Sequence, residues 1–193
     1  MYRSILVVAA SLVFASTLAL GQSHWSAEGA GMSVWVGAEL SSFNPDYGCA
    51  SDSPFSCPSS QLLGLSPFVD VNHVLFRKLN VEGQGRILHW RGPGNGINES
   101  SYMAGPRVSL FQYRRVQLSG KFLVGGAHFS IASPSVGQGQ YFAMAPAFVV
   151  DMRLTKRVMA RAEYEYQIWP SFIGNSGLSP NGFSLGLAYA IKR

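Results

Sequence analysis

The residues with the strongest claim to chemistry are His128 and Ser130, in His128-Phe129-Ser130. On a strand this spacing puts both side chains on one face. A histidine there can serve as general base and a serine as nucleophile, if an acid orients the imidazole. The acids downstream, Asp151 and Glu163, fall on the opposite face of their own strands, so a histidine at a strand end is the favoured reading. Glu163 and Glu165 form a second pair, two residues apart on one face, a spacing that suits acid/base work. Arg161 beside them favours salt-bridged packing instead.

The remaining reactive groups are scattered. His24, His73 and His89 have no metal-ligand spacing. Gly92-Pro93-Gly94-Asn95-Gly96 is a loop tip, because no Lys-Ser/Thr and helix follow to hold a phosphate. Cys49 and Cys57 sit in a Pro/Ser-rich stretch without a neighbouring His or third Cys, which favours a disulfide over a metal site. In the chain-entropy model such a small loop contributes roughly 2.5 kcal/mol. No nucleotide, metal or haem signature is present, so no cofactor is expected.

The elements that must position these residues begin with an export segment. Arg3 precedes an uncharged apolar run, Ile5 to Leu20, and Ala19-Leu20-Gly21 puts small residues before a cut at Gln22. The run is shorter than the ~20 residues of a spanning helix. Residues 1–21 therefore read as a signal peptide and 22–193 as one domain. Export makes the Cys49–Cys57 pairing chemically available. Only 13% of the chain is charged, about half the usual share. The net charge of +5 resides largely in a few turns, so nucleic acid is not an expected partner.

Period-two alternation dominates the rest. Val34, Val36, Ala38 and Leu40 alternate with Trp35, Gly37, Glu39 and Ser41. Seven further segments alternate likewise, ending with Phe183, Leu185, Leu187, Tyr189 and Ile191 set against Gly182, Ser184, Gly186, Ala188 and Ala190. Eight strands of about ten residues suit a bilayer-spanning barrel. The long connections around Phe43–Ser60, Arg91–Ser100, Ile131–Gly139 and Pro170–Asn181 alternate with short ones around His73–Leu79, Gln112–Val116 and Leu154–Arg157. In outer-membrane barrels the short turns face the periplasm and the long loops face outward. The turns carry Arg77, Lys78, Arg114, Arg115, Arg153, Lys156 and Arg157, which with Lys192 and Arg193 make a basic periplasmic rim. The fold class is all-β: an eight-stranded antiparallel up-and-down transmembrane β-barrel.

The face opposite the apolar one carries charges of both signs. Glu39, Asp70, Glu82, Asp151, Glu163 and Glu165 meet Arg86, Arg107, Lys121 and Arg161. On a soluble lipocalin-type barrel these would be dispersed surface charges. Inside a membrane barrel they form a compensated lumen network, because an unpaired buried charge is expensive. Tyr164, Tyr166 and Trp169 suggest an interfacial girdle. Ala143, Ala145, Gly186 and Ala188 could leave a narrow water path.

This layout resembles the small outer-membrane β-barrels of the OmpA-like transmembrane-domain type. Gly64–Asn72, Gly105–Arg115, Lys121–Ser130, Tyr164–Pro170 and Leu178–Ser184 are similar to segments of acidobacterial outer-membrane barrel proteins. The resemblance implies a monomer among outer-membrane lipid and lipopolysaccharide, inserted by the barrel-assembly machinery, with an unidentified ligand for its external loops. Tyr189 would supply the aromatic assembly signal that the terminal Ala190-Ile191-Lys192-Arg193 lacks. No peptidoglycan-binding domain follows, so a cell-wall tether is not implied. The expected role is non-enzymatic: membrane stabilisation or surface interaction. The alternatives are a narrow low-conductance pore and a lipid A-modifying hydrolase using His128 and Ser130. For the hydrolase, Phe142 occupies the region where that family carries its acid.

Overall fold

The computed structural model describes residues 33–45, 61–76, 78–89, 97–131, 139–170 and 177–192. They form eight strands: β1 (Ser33–Asn44), β2 (Leu62–Phe76), β3 (Leu79–His89), β4 (Ile97–Tyr113), β5 (Val116–Ile131), β6 (Gly139–Arg153), β7 (Val158–Tyr166) and β8 (Asn181–Lys192). Each pairs antiparallel with its sequence neighbours, and β8 pairs back onto β1 to close the barrel. Short turns join β2–β3, β4–β5 and β6–β7 at one end, the turn end. The longer connections leave from the other, the loop end.

The alternation read from sequence sets the faces. On β7, Arg161, Glu163 and Glu165 are buried while Tyr164 and Tyr166 are exposed. Leu185, Leu187 and Phe183 of β8 point outward, as do Tyr102 of β4, Phe122 of β5, and Phe142 and Phe148 of β6. Among the described residues no Asp, Glu, Lys or Arg faces outward along the wall between the two rims. Water would be a poor solvent for such a surface.

Strand lengths depart from the expected ten, running from 9 residues in β7 to 17 in β4. β4 begins at Ile97, inside the predicted Arg91–Ser100 loop, and β1 extends to Asn44. Arg114 and Arg115 alone separate β4 from β5. Polar residues such as Asn98, Ser100 and Gln112 have weak strand propensity, yet a hairpin ladder once begun continues to pair beyond the apolar band.

Prolines interrupt this ladder in a regular way. Pro67, Pro106 and Pro146 lie within β2, β4 and β6 and keep their pairing with the preceding strand. The ladder to the following strand skips each of them, because proline has no N–H to donate. The barrel also closes through a tight approach at Gly186. A Cβ there would lie 2.1 Å from the Ala38 carbonyl oxygen and 2.7 Å from Glu39 Cγ. Only glycine lets β8 come this close to β1.

Candidate functional site: the filled lumen

Inward-facing residues from all eight strands meet in the barrel interior. The buried ionisable groups are Glu39, Asp70, Glu82, Arg86, Glu99, Arg107, Lys121, Asp151, Arg161, Glu163 and Glu165. Each strand places its charges by parity alone, since residues two apart share a face. Asp151 stands opposite Arg161 on β7, but two other direct pairs across the sheet are mismatched. Asp70 stands opposite Glu82 on β3, and Arg107 opposite Lys121 on β5. Like charges so placed repel.

The curl of the sheet into a barrel resolves this by adding partners from strands further round the wall. Toward the turn end, Arg107 donates to both Asp70 and Asp151 and lies 3.5 Å from Glu82. Arg161 donates to Asp151 at 2.8 Å, Glu82 at 2.9 Å and Asp70 at 3.2 Å. Three carboxylates thus share two guanidiniums. In the middle, Lys121 Nζ donates to Glu82 at 2.6 Å, Glu163 at 2.7 Å and the Gln84 carbonyl at 3.1 Å. Toward the loop end, Arg86 donates to both Glu165 oxygens and to Ser66 Oγ at 2.9 Å. Ser66, Ser41 and Ser184 continue as a hydroxyl chain at 2.6 and 2.8 Å. Glu39 lies 4.0 Å from Arg161 and receives a long bond from Gln84 at 3.4 Å; its Oε1 accepts no hydrogen bond.

Apolar groups seal both ends of this network. Toward the turn end, Trp35, Phe68, Met159, Ala188 and Ala190 pack together, and the Arg161 guanidinium lies 3.9 Å over the Phe68 ring. At the loop end, Trp169 packs with Leu123, Phe129, Ala143, Ala145 and Leu178. Phe43, Leu62 and Leu88 form a further cluster there. The gap between Arg86, Glu99, Gln167 and Trp169 does not admit a water molecule.

These contacts correct one sequence expectation. Trp169 belongs to no interfacial girdle: it is 1% exposed, stacks on Tyr141 at 6.1 Å, and donates to Gln167 at 2.8 Å. Its odd position shares the inward parity of Glu163, Glu165 and Gln167, a signal present in the sequence. Ala143 and Ala145 belong to one apolar cluster with Leu123, Phe129 and Trp169, and Ala188 to another with Trp35, Phe68 and Met159. Glu99 falls in the expected Arg91–Ser100 loop, yet it is buried on the inner face of β4. Gln84 and Ser66 were visible only as members of the mixed face.

His128 and Ser130 face outward near the loop end of β5. Their cross-strand neighbours are Ser100 and Gln140 for His128, and Asn98 for Ser130. None is an acid, and Glu99 points into the lumen. His128 Nδ1 makes no hydrogen bond. Among the described residues, nothing orients this imidazole as a base. Glu163 and Glu165 are each engaged by a cation, so neither stands ready to exchange protons with a substrate. His89 bonds Asn98. His24, the side chain of His73, Cys49, Cys57, Arg77 and Arg193 lie outside what the structure describes.

No family model matches the sequence, and no curated protein does. Solved structures match in fold. Neisserial surface protein A is 13% identical with a TM-score of 0.58, over 82% of this chain and 96% of its own. The outer membrane protein OprG from Pseudomonas aeruginosa is 12% identical with a TM-score of 0.55, over 83% and 96%. Ail, the attachment invasion locus protein of Yersinia pestis, is 17% identical with a TM-score of 0.52, over 83% and 97%. At these identities the likeness is one of architecture, and by architecture this chain is a small eight-stranded outer-membrane-type β-barrel.

Proposed function

We propose that the chain is a non-enzymatic, non-conducting outer-membrane barrel. Its lumen serves as a core, and its role is membrane stabilisation or surface interaction at its external loops. The observation that carries this reading is the pairing of an uncharged outer wall with a lumen filled by ion pairs and capped by apolar clusters. In hydrocarbon every backbone polar group must be satisfied internally, which a closed barrel achieves. An eight-stranded barrel has an interior that side chains can fill. Arg86, Arg107, Lys121 and Arg161 do so here.

The pore reading needs a continuous water path, which the Trp169 plug and the ion-pair layers beneath it oppose. The hydrolase reading needs an acid beside His128, and none of its described cross-strand neighbours is one. On the proposed reading the turn end faces the periplasm, the barrel-assembly machinery inserts the chain, and the monomer is the working unit.

Recordings from planar bilayers containing the purified, refolded protein test this. A silent membrane is expected, from protein whose gel mobility changes on boiling. Large, steady current steps from that folded material would defeat the proposal.

A further inference from the structure

Charge is segregated along the barrel axis. The described residues include eleven Lys or Arg and seven Asp or Glu. All seven acids and four of the cations are buried in the lumen. The other seven cations are gathered at the turn end: Lys78 before β3, Arg114 and Arg115 between β4 and β5, Arg153, Lys156 and Arg157 around the β6–β7 turn, and Lys192 closing β8. The turns themselves hold no described acid.

The local geometry sets these cations at a definite depth. Tyr113 and Tyr189 project outward at the edge of the apolar wall, each about half exposed. The Arg114 guanidinium lies 5.3 Å over the Tyr113 ring, and Arg157 Nη1 donates to the Tyr189 hydroxyl at 3.2 Å. Tyrosines settle where hydrocarbon meets headgroups, and a guanidinium beside one reaches the phosphate layer. Thr155 Oγ1 accepts from the backbone N–H of Arg157 and Val158 at 3.2 and 3.0 Å, which fixes the turn that presents Lys156 and Arg157. Arg114 itself has a φ of 51°. Glycine takes that left-handed conformation freely, whereas an L side chain is disfavoured there. A cation thus occupies a position where local geometry prefers glycine, and an outlier of this kind points to a function.

We propose that this rim binds the anionic headgroups of phospholipids in the leaflet that meets the turn end. The inference rests on the outer-membrane reading above. The tyrosine partners select a membrane-bound phosphodiester over a soluble polyanion, because they hold the cations beside the lipid-facing wall.

The test is native mass spectrometry of the full chain released from micelles with equal amounts of phosphatidylglycerol and phosphatidylcholine. Each basic group near an anionic surface is worth about fivefold in partitioning, so a preference for phosphatidylglycerol of roughly tenfold or more is expected. Arg114→Gln, Arg115→Gln, Lys156→Gln and Arg157→Gln combined should abolish most of it. Arg114→Gly alone should weaken the preference while the hairpin folds as well or better. Equal retention of the two lipids would overturn the inference, as would a preference that survives the fourfold substitution. So would displacement of the lipid by soluble polyphosphate at low concentration. Heat-modifiable gel mobility of the same sample keeps the two readings apart. A folded barrel without lipid preference defeats only this inference, whereas a chain that never yields the folded form defeats the outer-membrane reading too.

Discussion

Replacing Arg161 by methionine removes the most connected cation of the lumen while keeping much of its bulk. Arg161 is fully buried and donates to Asp151, Glu82 and Asp70. Breaking a buried ion pair by removing one partner costs about 3–5 kcal/mol, because the other charge is left without compensation. For three of the four carboxylates around Arg161 the remaining partners soften the loss. Asp70 and Asp151 keep Arg107, and Glu82 keeps Lys121. The lower end of the range is therefore expected, about 3 kcal/mol, or more than a hundredfold in the folding equilibrium. Urea unfolding in lipid vesicles, followed by tryptophan fluorescence and by gel mobility, would measure it. Arg161→Lys should lose less, since it keeps the charge but not the geometry of three bonds. Adding Glu82→Gln to Arg161→Met should recover part of the loss, with a coupling of about 0.5–3 kcal/mol. An Arg161→Met barrel within about 0.5 kcal/mol of the parent, the range of an inert surface change, would refute the lumen as an electrostatically compensated core.

Other substitutions probe the remaining parts. Gly186→Val places side-chain atoms where the Ala38 carbonyl already stands, so the β1–β8 seam should fail and the heat-modifiable form should disappear from gels. Leu187→Arg puts a charge at mid-height on the outward wall, where about 2–4 kcal/mol should be lost on folding into vesicles. Ile191→Arg, near the rim, should cost no more than about 1 kcal/mol in the same titration. Trp169→Ala removes the loop-end plug and should destabilise by about 3–5 kcal/mol. Bilayer recordings of that variant should stay silent, because the ion-pair layers below it remain.

Much of the barrel was legible in the chain because strand parity is a local property. Glu39 and Ser41 share a face whatever the rest of the molecule does, and so do Arg161, Glu163 and Glu165. The wall residues from Val36 to Ile191 were visible for the same reason. Element ends were less legible, since Asn98 and Glu99 look like loop residues until a neighbouring ladder extends over them. Residue type places Trp169 in an interfacial girdle, as an aromatic near a strand end, although its parity points inward.

The sequence alone determined which side chains share a face, the number of strands, and the alternation of short and long connections. These follow from a repeat of two along a single strand. The tertiary structure alone decided who pairs with whom. Arg86 meets Glu165, and Lys121 meets both Glu82 and Glu163, across sequence separations of 39 to 79 residues. Arg86 on β3 and Glu165 on β7 come together only when the sheet closes, because they stand on opposite walls, whereas Lys121 on β5 reaches β3 and β7, each two strands away, as the sheet curls. Until then Asp70 beside Glu82 and Arg107 beside Lys121 are repulsive pairs. Closure makes them layers of one neutralising network.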